Sequence, residues 1–303
     1  MKTTREITFL FLMILSGYVS GQYKIAGNVL NEENAPIPYT SVYSAEDSVG
    51  THTDNAGVFH LSVKSLPVRL EFRNVGYKEK MLQVRSSDNL TIQLEDRVML
   101  LDEVIVKGDN EKIYVIGSPK RPRGIVFFAS ESPYQQLALM VRNKNNALYI
   151  NAYLDKVSVR IVPPTLGGLK PNGEKQLRLR IYTISDVGRV GDDLLHQNIF
   201  LSPSKAGWYA IDLKNQIKIP EYGFVIAVEW LKNQEVQKWG KGKRISYSYG
   251  LLIKGHRLKK EDLAFYSSWG FNPVAQKWFQ YKNQDNDEPY DNIPAFRIDL
   301  APL

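Results

Sequence analysis

Cysteine, histidine, serine and paired carboxylates carry most side-chain chemistry, and in this chain they are few or scattered. There is no cysteine and there are four histidines, His52, His60, His196 and His256. The lack of cysteine removes disulfides, thiolate nucleophiles, cysteine-bound zinc and a lipid-modified cysteine at once. None of the histidines has the HExxH-type spacing that places two imidazoles on one helix face for zinc. A hydrolase triad needs a nucleophile, a base and an orienting acid to converge, and no GxSxG nucleophile elbow is present to seed one. Asp285, Asp287, Glu288 and Asp291 cluster in the polar stretch KNQDNDEPYDN. Oxygen-rich loops can hold calcium, but the glycine of the full loop pattern is missing, and a solvated acidic loop is the plainer reading. No pair of acids is fixed at the separation that glycoside hydrolysis requires. Neither a cofactor nor a metal is expected.

Aromatic side chains are the surplus. Trp208, Trp230, Trp239, Trp269 and Trp278 all lie in the second half, with Tyr247, Tyr249, Tyr266 and Tyr281 nearby. Flat rings on a rigid scaffold can stack on sugars, and beside Lys or Arg they can hold acidic glycans. Trp208 and Trp230 fall in alternating strands and are expected to be buried. Trp239 is flanked by Lys238 and by Gly240-Lys241-Gly242-Lys243-Arg244. Trp239, Lys241, Lys243 and Arg244 are therefore the expected ligand-binding residues, on a loop where binding groups commonly sit.

The net charge of +7 is unevenly spread, from −3 over residues 23–107 to +9 over residues 108–303. Between Lys232 and Lys260 nine basic residues face a single acid, Glu235. A cationic face attracts phosphate, anionic glycan or acidic lipid, and a solvated lysine-rich surface is the simpler account. Nucleic acid is not expected, because no reading motif accompanies the charge.

These residues need elements to carry them, and 303 residues suit two domains. Residues 1–21 read as a secretory signal peptide: basic Lys2 and Arg5, an apolar run from Ile7 to Leu15, then small residues with Val19 and Gly21 at the cleavage positions. No later segment has the ~20 apolar residues of a spanning helix. The expected location is periplasmic, outer-membrane-associated or at the cell surface. Residues 22–107 alternate in short segments broken by turn residues, as in an all-β sandwich. Asp54 and Gly57 mark one turn and Asn74-Val75-Gly76-Tyr77 another. Phe59, Leu61 and Val63 fall on one face of a strand, with His60 and Ser62 on the other.

Ile25-x-Gly27-x-Val29, Pro38-Tyr39-x-x-Val42, Thr53-Asp54-x-x-Gly57-x-Phe59 and Val75-Gly76-Tyr77 follow in order over some 85 residues. Together they resemble the carboxypeptidase-regulatory-like domain. The resemblance implies a seven-stranded, transthyretin-like Greek-key sandwich that serves as an accessory module and carries no peptidase chemistry. Leu101-Asp102-Glu103-Val104-Ile105-Val106 is similar to the segment that follows this domain in TonB-dependent receptors of Bacteroidota. About 190 residues follow it here, too few for a receptor's plug and barrel, so the segment reads as a last strand and exit.

Residues 108–124, with Gly117-Ser118-Pro119 and Lys120-Arg121-Pro122-Arg123-Gly124, read as a linker. Residues 125–303 alternate again. In Gln176-Leu177-Arg178-Leu179-Arg180-Ile181-Tyr182 the apolar residues should point inward and both arginines outward. A larger jelly-roll-like β-sandwich of about eight to ten strands is expected. The pattern Gly207-Trp208-Tyr209, Asp212-Leu213, Ile219-Pro220 and Gly223-Phe224 through Glu229-Trp230 is similar to the C-terminal part of secreted Bacteroidota proteins carrying the regulatory-like domain. The chain as a whole thus reads as an all-β, secreted, non-catalytic binding module of the cell envelope, whose partner is a glycan or an envelope protein. The alternative is a hydrolase acting on envelope or extracellular polysaccharide or peptide.

Overall fold

A computed structural model describes residues 22–97 apart from 45, 48 and 88, and residues 114–302 apart from 125, 131–133, 144–151, 163–169, 173–175, 196, 232–246, 274, 276 and 283–290. The expected signal peptide and the Leu101–Val106 segment lie outside the described residues. The chain divides into two compact units, Met1–Arg97 and Val98–Leu303. Among the described residues the regular structure is β, apart from a short 3-10 turn at Lys260–Ala264.

The first unit holds β1 (Tyr23–Leu30), β2 (Ser41–Ser44), β3 (Val49–His52), β4 (Val58–Val63), β5 (Val68–Arg73), β6 (Lys80–Val84) and β7 (Leu90–Gln93). They form a three-stranded sheet, β4-β1-β7, and a four-stranded one, β3-β2-β5-β6. Period-2 patterning decides which side of each strand is dry. Phe59, Leu61 and Val63 are buried while His60 and Ser62 are exposed, and Val68, Leu70 and Phe72 repeat the alternation on β5. Phe59 from one sheet meets Phe72 from the other edge to face, with ring centroids 5.7 Å apart. Burying a side chain of this size is worth about 1.5–3 kcal/mol.

The turns of this unit are built by the residues that stood out in its sequence. Asp54 Oδ1 accepts the backbone N–H groups of Ala56 and Val58, each at 2.9 Å. Gly57 has φ +74°, and a Cβ there would lie 2.7 Å from the Val29 carbonyl oxygen. Thr53 Oγ1 donates to the Ile37 carbonyl at 2.8 Å and accepts the Thr40 N–H. Asn74 Nδ2 donates to Pro38 O and Thr40 Oγ1, fixing a distant turn to the same spot. The side chains of Thr53 and Asn74 thus tie three motifs together through hydrogen bonds.

The second unit holds β8 (Tyr114–Gly117), β9 (Phe127–Ser130), β10 (Gln136–Arg142), β11 (Ala152–Ile161), β12 (Lys170–Asn172), β13 (Leu177–Ile184), β14 (Val190–Asp193), β15 (Ile199–Leu201), β16 (Gly207–Lys218), β17 (Gly223–Trp230), β18 (Tyr247–Arg257), β19 (Tyr266–Asn272), β20 (Lys277–Gln280), β21 (Asn292–Pro294) and β22 (Phe296–Pro302). A seven-stranded sheet runs β14-β13-β17-β10-β19-β20, with β15 also on β13; an eight-stranded sheet runs β12-β18-β11-β22-β8, with β16, β21 and β9 attached. Across the first sheet Leu177 faces Trp230, Leu179 faces Val228, and Ile181 faces Ile226 and then Leu139, all at most 1% exposed. On this same face Trp230 donates its indole N–H to the Leu251 carbonyl of the second sheet at 2.8 Å.

Three expectations are corrected here. The unit has fifteen described strands where eight to ten were expected, because short edge pieces such as β12, β15 and β21 carry too few residues to show alternation. Part of the stretch read as a linker is built into the unit: β8 pairs with β22, Ser118 N–H donates to Phe296 O, and Lys254 Nζ donates to Gly124 O. Proline and glycine end the strand there without freeing the chain. Finally, Arg178 and Arg180 do point to the other face of β13, as alternation requires, but that face is covered. Arg178 is 2% exposed.

Candidate functional site

The far face of the seven-stranded sheet, turned away from the inter-sheet core, gathers most of the described polar and aromatic groups of interest. Register fixes its layout. One row across the sheet reads Arg178, Glu229, Gln136, Phe271, Trp278; the next reads Arg180, Ala227, Ala138, Trp269, Gln280; a third reads Tyr182, Val225, Met140, Ser267. Trp278 on β20 and Tyr182 on β13 are four strands apart, about 19 Å on a flat sheet. Their ring centroids nevertheless lie 5.3 Å apart, at 77°. The sheet is therefore curled, and this face is its concave side. Ala138 and Ala227 leave room at the middle of the hollow for the rings that fold over them, and with Met140, Val225 and Ile184 they form a second small core.

The charges on this face are held in pairs. Arg178 Nε and Nη2 both meet Glu229 Oε2 at 2.7 Å, and Nη1 donates to Asn198 Oδ1 at 3.3 Å. Arg180 Nε donates to the Tyr182 hydroxyl at 3.2 Å and lies 3.0 Å from Asp193 Oδ2. Tyr182 donates in turn to Gln136 Oε1 at 2.8 Å. Asp193 Oδ2 and Arg180 Nη1 make no aligned hydrogen bond, so charge more than geometry joins these two. Burial pushes the Asp193 carboxyl and the Tyr182 phenol up. Burial works against the Arg180 charge as well, but the Tyr182 phenol and the carboxylates of Asp193 and Glu229 outweigh it and hold the guanidinium above its ordinary range.

At the end of the hollow stands Arg142, half-buried, with Nη1 donating to Ser267 Oγ at 3.2 Å. The Trp269 indole N–H donates to the same oxygen at 2.8 Å. Burial holds the Arg142 guanidinium below its ordinary range.

The expected ligand-binding residues, Trp239, Lys241, Lys243 and Arg244, lie outside the described residues, as do His196, Asp285, Asp287 and Glu288. Trp230 is buried as expected, but Trp208 is only half-buried; it lies on the outer side of the eight-stranded sheet and donates to Lys120 O at 2.9 Å. Of the described basic residues, Lys254 lies 4.5 Å from the Phe127 ring centroid, and Arg257 pairs with Asp291 at 2.9 Å. His52 shares a hydrogen bond with Ser41 Oγ, and His256 Nδ1 accepts the Arg123 N–H at 3.1 Å. His60 is exposed on β4.

Sequence reasoning missed Arg142, Arg178, Arg180, Glu229 and Ser267. A usable signal was present. Glu229 interrupts the apolar run Phe224–Trp230, and a carboxylate in a strand buried on both faces demands a cation.

The family model of the CarboxypepD_reg-like domain matches residues 25–106. Over 122 residues the chain is 24% identical to the TonB-dependent receptor P39 of Formosa agariphila, which covers 38% of this chain and 12% of the receptor. It is 25% identical over 109 residues to the TonB-dependent receptor P3 of the same organism, covering 35% of this chain and 11% of the receptor. The chain thus matches only a small part of the length of these relatives. Among solved structures, the infectious bursal disease virus VP2 subviral particle aligns over 95% of this chain and 62% of that one, at 9% identity and a TM-score of 0.24; a likeness that slight carries no argument. No helix among the described residues is long and apolar enough to cross a membrane.

Proposed function

We propose that this chain is an exported, non-catalytic binding module of the cell envelope, whose second unit presents its surface to a glycan or to an envelope partner. The observation that carries this reading is the match of residues 25–106 to an accessory domain shared with TonB-dependent receptors. The likeness of part of the chain to TonB-dependent receptors supports the envelope part of this reading. In the first unit, the side chains of Thr53, Asp54 and Asn74 hold turns together. In the second, Glu229 and Asp193 are engaged by arginines, where a hydrolase needs carboxylates facing a substrate.

The test uses the purified chain without residues 1–21. It is mixed with isolated envelope polysaccharide and with outer-membrane vesicles, and both sedimentation and the release of reducing ends or free amines are followed. Saturable co-sedimentation without product release is expected. Product release that one pocket substitution abolishes would reverse the reading in favour of a hydrolase. Recovery of the native protein from the cytoplasm would remove the envelope assignment.

A further inference from the structure

Three arginines occupy the concave face, and they are not equivalent. Arg178 has Glu229 at 2.7 Å and Arg180 has Asp193 at 3.0 Å. Arg142, on the same face of β10 as Gln136, Ala138 and Met140, donates to the Ser267 hydroxyl, and among the described residues no carboxylate pairs with it. Withdrawing a guanidinium from water without a counter-charge is costly, and the neighbouring pairs show how this sheet meets that cost elsewhere. The position of Arg142 also matters. It lies at the sheet's rim, where its backbone N–H bonds to Phe265 O and the next residue, Asn143, reaches Tyr222 O and Glu221 O. Binding groups gather at such loop-bearing edges.

We infer that Arg142, with Ser267 and Trp269, forms a subsite for the carboxylate of an acidic sugar unit. The guanidinium supplies a planar fork of donors that matches a carboxylate. Ser267 Oγ accepts from both Arg142 and Trp269 and, only 2% exposed, braces the two side chains from beneath. The indole of Trp269, tethered by that bond and partly buried against the small core of this face, sets an apolar ring beside the charge. A rigid ring next to a charged fork suits a pyranose carrying a carboxylate better than an extended peptide, which would use backbone groups along a sheet edge. This inference rests on the binding-module reading and names its ligand class.

The experiment titrates the full exported chain with a short oligouronate, following heat and tryptophan emission. Parallel arms use the same oligosaccharide with its carboxyl groups reduced to alcohols, a poly-glutamate peptide and a phosphorylated oligosaccharide. Saturable oligouronate binding is expected, weakened by salt and at least about tenfold weaker in Arg142→Gln, the worth of one charge-assisted bond. Arg142→Lys, which keeps the charge and loses the fork, should fall between. Unchanged thermal unfolding shows that the variants are folded; Trp269→Ala, which removes the other donor to the same oxygen, serves as a second probe if Arg142→Gln is unstable. Equal binding of the carboxyl-reduced sugar, or wild-type affinity in Arg142→Gln, overturns the inference and leaves the binding-module reading intact. Equal, Arg142-dependent binding of poly-glutamate or of the phosphorylated sugar overturns the ligand class. Hydrolysis of the oligouronate overturns the broader reading.

Discussion

Replacing Glu229 with alanine tests how the concave face is held. Glu229 and Arg178 are 1% and 2% exposed, and a single carboxylate oxygen receives both guanidinium nitrogens at 2.7 Å. Removing the carboxylate strands a charge in a dry sheet, and breaking a buried pair in this way costs about 3–5 kcal/mol. The second unit spans Val98–Leu303, a size at which each kcal/mol moves the midpoint by about 2–4 °C. The thermal midpoint should therefore fall by about 6–20 °C. Every tryptophan lies at or beyond Trp208, so indole emission follows the second unit and is blind to the first. The paired variant Arg178→Met with Glu229→Leu removes both charges and should recover most of the loss, because apolar side chains of similar volume need no desolvation of ions. A midpoint within about 2 °C of wild type for Glu229→Ala, or a paired variant that loses as much as the two single changes together, would show that the pair is not what holds this face.

Further outcomes follow from particular groups. Asp54→Ala removes the side-chain acceptor of two backbone N–H groups at 2.9 Å and should cost about 1–3 kcal/mol, read by amide hydrogen exchange in residues 37–59 with the tryptophan signal unchanged. Gly223→Ala forces a side chain into φ +109° with a Cβ 2.1 Å from the Val141 carbonyl; it should destabilise the second unit by more than the roughly 1–2 kcal/mol of left-handed strain alone, measured by urea midpoint. His256 has its affinity for protons lowered by burial from an ordinary 6.5. The unfolded chain then takes up the proton first, so stability should decline as pH falls through about 6.5 toward the lower folded value. His256→Gln should flatten that slope; an unchanged slope would remove His256 as its source.

The first unit was legible because its residues act locally. Alternation from Phe59 to Val63 named the buried face, and Asp54 and Gly57 named the turn, since Asp54 accepts N–H groups two and four residues on and Gly57 N–H closes onto Asp54 O. The second unit was legible as β but not as a site. Whether Arg178 and Arg180 meet water or protein depends on what folds over them. That is settled by Asp193 and Asn198 on the chain beyond and by Glu229 some fifty residues away. Alternation reports the side of a strand and says nothing of whether that side is dry. The pairing of Arg142, Ser267 and Trp269 likewise joins positions more than a hundred residues apart, and no spacing rule links them.

The place of β22 has a consequence for the order in which the second unit can assemble. This strand is inserted between β11 and β8 and bonds to both. Until Phe296–Pro302 arrives, β8 lacks the strand it pairs with and the β11 side of the sheet stays open. A chain made in N-to-C order must therefore wait for Phe296–Pro302 before this body can close. Shortening it by that one strand should leave a molecule whose first body is shaped and whose second is not.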